Sequence, residues 1–389
     1  MLIKDICSTI TDGSHNPPKG IKSSSYLMLS SKNVLDDKIT LDEPRFLSKE
    51  DFEKENKRTD VKCDDVLLTI VGTVGRAAVV SNDLPPFALQ RSVAVLHPDE
   101  NVCSGRYLMY ALRGKRSYIE RHSKGVAQKG IYLKEVAEID LPVPSKEIQG
   151  QIIEKLDKVN SVIKCRQLEL EKFDDLIKAR FVEMFGDPTA NEKCWNKVPL
   201  STCVESIDNG KSFVCDSGAR QGTSPAVLKL SAATYGDYRP EENKAILDEK
   251  QFVEEAAVHS GDLLFTRKNT PELVGMCAYV YKTPAGLMMP DLIFRLNTTE
   301  RCNKIFLWKL INHDLFRGCI QAIATGSAKS MSNISKERLL KIKVILPPNE
   351  LQEQFAAFVT QTDKLKVAIQ KSLEKTQLLF DSLMQEYFG

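Results

Sequence analysis

Glycine-flanked loops carry most of the polar side chains that could do chemistry in this chain. The first half has Ser14, His15, Asn16, Lys19, Arg76, Gln90 and Arg91, and the second has Arg220, Gln221, Arg267, Lys268 and Asn269. Arg and Lys match the acceptors of guanine, and Asn and Gln match the donor–acceptor pair of adenine. At least half of protein–DNA hydrogen bonds go to the backbone, so each residue is equally a candidate phosphate contact or a plain surface group. A second cluster is a charge run. Arg106, Arg113, Lys115, Arg116, Arg121, Lys124, Lys129 and Lys134 stand against the single acid Glu120, a net of +7. That density predicts a phosphate-binding face, with a solvated helix face as the rival reading. The second half has a weaker patch, Lys309, Arg317, Lys329 and Lys336 against Asp314.

Motifs for catalysis fail on inspection. Gly210-Lys211-Ser212 looks like the end of a P-loop, but the position for its first glycine is Glu205. No G-x-G-x-x-G occurs, and Gly72-Thr73-Val74-Gly75 reads as a hairpin turn. Asn16-Pro17-Pro18-Lys19 resembles the Asn-Pro-Pro-aromatic motif of amino-methyltransferases, with Lys19 where the aromatic should stack on a flipped base. Leu84-Pro85-Pro86-Phe87 keeps the aromatic and loses the amide or carboxylate. The histidines at 15, 97, 122, 259 and 313 show no triad or metal spacing, and no two cysteines are spaced C-x-x-C. No catalysis by the chain alone and no metal site are expected, which counts against a solitary methyltransferase.

The elements that must position these residues are written twice. Pro144-Ser145-Lys146-Glu147-Ile148-Gln149-Gly150-Gln151-Ile152 matches Pro347-Pro348-Asn349-Glu350-Leu351-Gln352-Glu353-Gln354-Phe355 at an offset of 203. The match runs without a gap from Ile131/Ile334 to Phe185/Phe388, with about a quarter of positions identical. Upstream, Gly13 pairs with Gly210, Asp65-Val66-Leu67-Leu68-Thr69 with Asp262-Leu263-Leu264-Phe265-Thr266, and Gly75-Arg76-Ala77-Ala78 with Gly275-Met276-Cys277-Ala278. The offset there drifts between 197 and 203, as loops of changed length require. A period near 200 is a duplicated domain, far longer than a solenoid repeat.

Each copy ends in a long helix. Ile148, Ile152, Leu156, Val159, Ile163, Leu170, Ile177 and Phe181 form one stripe near period 3.5; Leu351, Phe355, Phe358, Leu365, Ile369, Leu373, Phe380 and Leu383 form the other. Each helix spans about 38 residues, roughly 57 Å at ~1.5 Å per residue. A rod with one narrow apolar seam needs a partner, so the two are expected to pair as an antiparallel coiled coil; the alternative is that each folds back on its own domain. The preceding segments mix short strands and helices without regular alternation, an α+β pattern. The expected layout is domain 1 over 1–144, a central helix over 145–186, domain 2 over 187–347 and a C-terminal helix over 348–389.

Composition bounds the rest. The 389 residues hold 54 Lys+Arg against 52 Asp+Glu, a net of +2. Dedicated DNA-binding domains are usually more basic. The mean hides the basic run, because residues 36 to 65 hold eleven acids against seven bases. No apolar stretch reaches membrane-spanning length. The start lacks a secretory pattern, and ten irregularly spaced cysteines fit free thiols, so a cytoplasmic location is expected. Two similar domains joined by matching rods behave as a covalent dimer. Such a dimer suits a duplex with two half-sites, the rods setting the gap. The competing class is a coiled-coil adaptor that joins two protein partners and reads no DNA.

In its duplicated layout the chain resembles the specificity subunit of a Type I restriction-modification system. The resemblance covers the whole chain. It rests on Leu141-Pro142-Val143-Pro144 through Gln149 and Leu346-Pro347-Pro348 through Gln352, which open the rods. It rests also on Gly125-Val126-Ala127-Gln128-Lys129-Gly130 and Gly326-Ser327-Ala328-Lys329-Ser330 before them, and on Asp262 through Asn269 followed by Leu273-Val274-Gly275. It implies two target-recognition domains reading a bipartite, asymmetric double-stranded DNA site. It implies that the rods dock two modification subunits, which bind S-adenosylmethionine and methylate adenine, and that ATP- and magnesium-dependent restriction subunits can join. The chain itself would supply specificity and no active site. One departure is that Lys155, Lys158 and Arg180 of the first rod meet Phe358, Gln361 and Leu383 of the second, so the two rods are not closely similar.

Overall fold

The computed structural model describes residues 1–125, 129–326 and 331–389. The chain forms two compact units, Met1–Gln167 with Gln370–Gly389, and Leu168–Ile369. Each unit therefore combines an α+β domain with part of both long helices.

In the first unit β1 (Cys7–Asp12) is followed by α1 (Lys49–Thr59), β2 (Val66–Thr69), β3 (Ala77–Val79), β4 (Val93–Pro98), α2 (Gly105–Gly114), α3 (Arg116–His122) and α4 (Lys146–Phe185). The strands pair antiparallel in the order β1-β4-β2-β3. A three-stranded sheet of Arg45–Leu47, Tyr26–Leu29 and Phe87–Leu89 lies beside it. All four side chains of β2 are buried. Alternate residues of a strand face opposite ways, and here both faces are covered. Val66 and Leu68 join Ala94, Leu96 and α2 in one core; Leu67 joins Val93, Val95, Leu27 and Phe87 in the other. Ser48 caps α1 through Asp51 N, and Asp60 ends it in the left-handed region at φ 42°.

The second unit repeats the plan with β5 (Val204–Asn209), β6 (Leu263–Thr266), β7 (Cys277–Tyr279), β8 (Ile293–Thr298), α5 (Lys304–Asn312), α6 (Asp314–Ala322) and α7 (Asn349–Phe388). Its sheet order, β5-β8-β6-β7, is that of the first unit. The accompanying sheet again has three strands, Asn243–Ala245, Ala226–Leu228 and Leu287–Met288. No strong helix stands where α1 does; short 3-10 turns at Glu249–Gln251 and Glu254–Ala256 replace it.

The long helices run antiparallel. In the first unit Ile152, Leu156 and Ile163 of α4 share a core with Phe380 and Phe388 of α7. In the second, Ile177, Phe181 and Phe185 of α4 share one with Phe355 and Val359 of α7. Each helix also packs on its domain, so the two expected arrangements coexist. The seam is not the apolar stripe throughout. Ile148 and Leu365 are exposed, 47% and 49%, whereas Gln149, Asn160, Gln352 and Thr362 are buried. Gln149, Asn160 and Gln352 bond the adjacent domain, and Thr362 donates to Phe358 O of its own helix; a count of apolar side chains passes over all four.

Candidate nucleic-acid interface

Each unit gathers the same loops at one end of its four-stranded sheet. In the first unit β1 runs into Gly13 and Ser14, which cross the turn between Phe87–Leu89 and β4. Gly13 N donates to Val93 O at 3.2 Å, Ser14 N to Leu89 O at 2.7 Å, and Arg91 N to Ser14 O at 2.9 Å. A Cβ on Gly13 would lie 2.1 Å from Leu89 O, so only glycine fits the crossing. The β2–β3 turn joins the same end: Ile70 N donates to Ser92 O at 2.9 Å, and Gly72 N to Lys129 O at 2.9 Å. Ser14, Gln90, Arg91, Arg76 and Lys129 therefore come from four loops to one edge, with Asn16 and Lys19 exposed on the segment that leaves it.

The second unit builds this edge again. Gly210 N donates to Ile293 O at 3.3 Å and Lys211 N to Met289 O at 2.9 Å. A Cβ on Gly210 would lie 2.1 Å from Pro290 O. Arg267 N donates to Leu292 O at 3.0 Å, and Ile334 N to Arg267 O at 2.8 Å. The repeat match of Gly13 with Gly210 thus marks one backbone crossing made twice.

The side chains at the crossing differ. Ser14 and His15 of the first unit correspond to Lys211 and Ser212 of the second, and Gln90 and Arg91 to Pro290 and Asp291. Ser212 Oγ donates to Asp291 Oδ1 at 2.5 Å, whereas Arg91 is exposed. His15 Nε2 is 2.9 Å from Asp12 Oδ2, and Arg58 Nη2, from the end of α1, is 2.5 Å from Asp12 Oδ1. Lys211, Ser212, Asp291, Asp12 and Arg58 escaped the motif-based selection. Extending the Gly13/Gly210 match by one residue would have placed Lys211 opposite Ser14; nothing local marks Arg58.

Several selected residues are placed otherwise. Asn269 is buried, and its Nδ2 donates to Thr234 Oγ1 at 3.1 Å, so it supports the fold rather than an outward surface. Arg267 lies over the Phe294 ring at 4.9 Å, and Lys268 pairs with Asn333 in a two-stranded ladder. Arg220 donates to Ala285 O at 2.7 Å, beside the three-stranded sheet, with Gln221 exposed next to it. Lys329 lies outside the described residues, as do Val126, Ala127, Gln128, Ser327, Ala328 and Ser330.

The basic run divides in two. Arg113 does not face solvent. Its guanidinium lies over Tyr110 at 5.6 Å and Phe380 at 5.2 Å, 4.0 Å from Asp36, with 15% of the side chain exposed. Burial depresses its pKa. Arg116 bonds Asp36 and Gly75 O. Arg106 bonds Asp37 and Asp157. These three tie helices to turns, so the phosphate-face expectation does not hold for Arg113 and Arg116. Lys124 pairs with Glu135 at 2.7 Å, and Arg121 and Lys129 stay exposed.

Polar networks also fasten each rod to its domain. Asp37 accepts from Asn160 Nδ2 at 2.7 Å and Lys164 Nζ at 2.6 Å, besides Arg106. Burial opposes ionisation of Asp37, yet bonds from Arg106 and Lys164 outweigh it and hold the carboxyl below its usual range. In the second unit Tyr281 Oη donates to Asp363 Oδ2 of α7 at 2.8 Å. Burial pushes the Asp363 carboxyl up and the neighbouring Lys309 ammonium down. Among the described residues no group of His, Cys, Asp and Glu is arranged to hold a metal, and no helix is long and apolar enough to cross a membrane.

The Type I restriction modification DNA specificity domain matches twice, over residues 22–172 and 194–378. The chain belongs to this family. It is similar to the specificity subunit of the Type I restriction enzyme EcoEI of Escherichia coli, 30% identical over 196 residues, covering 49% of this chain and 33% of that protein. It is also similar to that of EcoBI of Escherichia coli, 28% identical over 171 residues, covering 42% and 36%. The matched stretch thus spans about a third of the length of these relatives. The crystal structure of a Type I restriction-modification S subunit from M. genitalium shares the fold, with a TM-score of 0.59 at 14% identity over 100% of this chain and 95% of that one. The α+β class and the tandem arrangement are those of the family.

Proposed function

We propose that this chain is the sequence-reading subunit of a Type I restriction-modification complex. Each domain reads one half of a bipartite DNA target with the loop edge described above. The carrying observation is that one backbone crossing is built twice with different side chains, Ser14, His15, Gln90 and Arg91 against Lys211, Ser212, Pro290 and Asp291. A common scaffold with exchanged donors and acceptors is what two unlike half-sites demand.

The rods dock two modification subunits, to which restriction subunits add, and set the gap between half-sites. Exposed apolar residues recur at matching places in the two rods, Val162 with Leu365 and Leu176 with Leu379. Two alike patches suit two copies of one partner. S-adenosylmethionine, ATP and magnesium belong to those partner subunits, and this chain contributes no catalytic group.

Mapping methylated adenines genome-wide, with and without this gene, tests the proposal. A bipartite motif that vanishes with the gene supports it. Methylation unchanged by deletion, or methylation by the purified chain with S-adenosylmethionine alone, overturns it. The adaptor reading requires that Lys115, Arg121 and Lys129 can be reversed in charge without weakening DNA binding by the assembled complex.

A further inference from the structure

The loop edge of the first unit contains a side-chain cluster that its counterpart lacks. Asp12, the last residue of β1, is buried, with 9% of its side chain exposed. It bonds two side chains that are more than half exposed, His15 at 53% and Arg58 at 56%. Arg58 comes from the last turn of α1. That turn is held rigidly: the next carbonyl, Thr59 O, lies 2.9 Å from His97 Nε2, and His97 Nδ1 lies 2.8 Å from Asp65 Oδ1. A fixed carboxylate and a fixed helix end orient one Nη of the guanidinium. Its remaining donors have no other partner among the described residues, and the side chain is more than half exposed.

The fold does not need this cluster. The second unit has the same sheet order and the same glycine crossing, yet Asn209 stands where Asp12 does, exposed and with no side-chain hydrogen bond among the described residues. No counterpart of α1 delivers a cation there. A carboxylate beside Arg58 also lowers the cluster's net charge, which weakens it as a bulk counterion for phosphate. What remains is orientation, the property that planar, two-point recognition of a base edge requires.

We infer that Arg58 is a specificity-determining residue for the half-site read by the first domain, presented by Asp12 as its positioning residue, and that the edge it reads is the O6/N7 pair of a guanine. This rests on the DNA-reading function proposed above. His15 shares the anchor and lines the same approach.

The test is genome-wide mapping of methylated adenine in the native strain carrying wild-type chain, Arg58→Ala, Arg58→Lys or Asp12→Asn in place of its own copy. The expected result is that one guanine in one half-site relaxes to several bases in all three variants, the other half-site being unchanged. Lysine fails to rescue because it cannot fork. Should a variant methylate too little to yield a motif, the purified complex is titrated with duplexes substituted at each position of the wild-type site. Wild type loses about ten- to hundred-fold in affinity at that guanine, and Arg58→Ala loses nothing further there. An unchanged motif in Arg58→Ala, with or without uniformly weaker methylation, makes Arg58 a phosphate contact or a bystander and overturns the inference. So does relaxation in Asp12→Asn alone. Absence of any bipartite motif from wild type instead overturns the DNA-reading function itself.

Discussion

Gln352, in the first turn of α7, accepts the backbone N–H of Asn303 on its Oε1 at 2.9 Å. Its Nε2 donates to Pro347 O at 2.8 Å and Arg301 O at 3.2 Å. Gln149 repeats the arrangement in α4, bonding Ser104 N at 3.3 Å, Val102 O at 2.8 Å and Pro144 O at 2.9 Å. Asn303 and Ser104 are the caps of α5 and α2. Each rod thus closes a capping box whose second half lies some fifty residues away.

Replacing Gln352 or Gln149 with Leu keeps the volume and leaves three backbone groups without partners in a buried place. The expected loss is about 2–4 kcal/mol for either variant. Thermal unfolding checks it, and a variant that melts with wild type contradicts it.

Glycine at the crossing is open to a similar test. Gly13→Ala and Gly210→Ala each drive a Cβ against a carbonyl oxygen 2.1 Å away, so the strands must separate. A destabilisation of about 1–3 kcal/mol or more follows from the overpacking. Gly13→Ala should impair methylation by disturbing the first half-site reader, and Gly210→Ala by disturbing the second.

Charge reversal separates the two parts of the basic run. Arg113→Glu places an acid among Tyr110, Phe380 and Asp36, and should destabilise the first unit by about 3 kcal/mol. Arg121→Glu and Lys129→Glu alter exposed sites and should leave the melting temperature within about a degree or two. They should weaken DNA binding by the assembled complex more at low salt than at high. Equal melting of all three contradicts the structural role of Arg113.

His97 predicts a pH dependence of stability. Its hydrogen bond to Asp65 raises the imidazole pKa above the ordinary 6.5, against the opposing effect of burial. The stabilisation is fully present below the unfolded value and is lost as pH rises through the folded one. Denaturant unfolding from about pH 5.5 to 8.5 should show stability falling across that window, and His97→Gln should flatten the fall. An unaltered pH profile in the variant rules out His97 as its source.

Much of the molecule was legible in the amino-acid order. The duplication, the two helices and the strands at Val66–Thr69 and Leu263–Thr266 all follow from local periodicity and matching, because apolar spacing is a property of neighbouring residues. The Gly13/Gly210 match even marked the crossing on which the candidate interface is built. Tertiary structure alone decided which polar groups face outward. Arg113 and Arg121 are indistinguishable as letters in a basic run. One lies between aromatic rings from helices that are distant in sequence, and the other is exposed. Asn269 looks like an adenine reader until Thr234 is found 3.1 Å away. Arg58 looks like an ordinary helix residue until Asp12 is found beside it. The physical reason is that burial and pairing of a charge depend on contacts between remote segments, which no local pattern encodes.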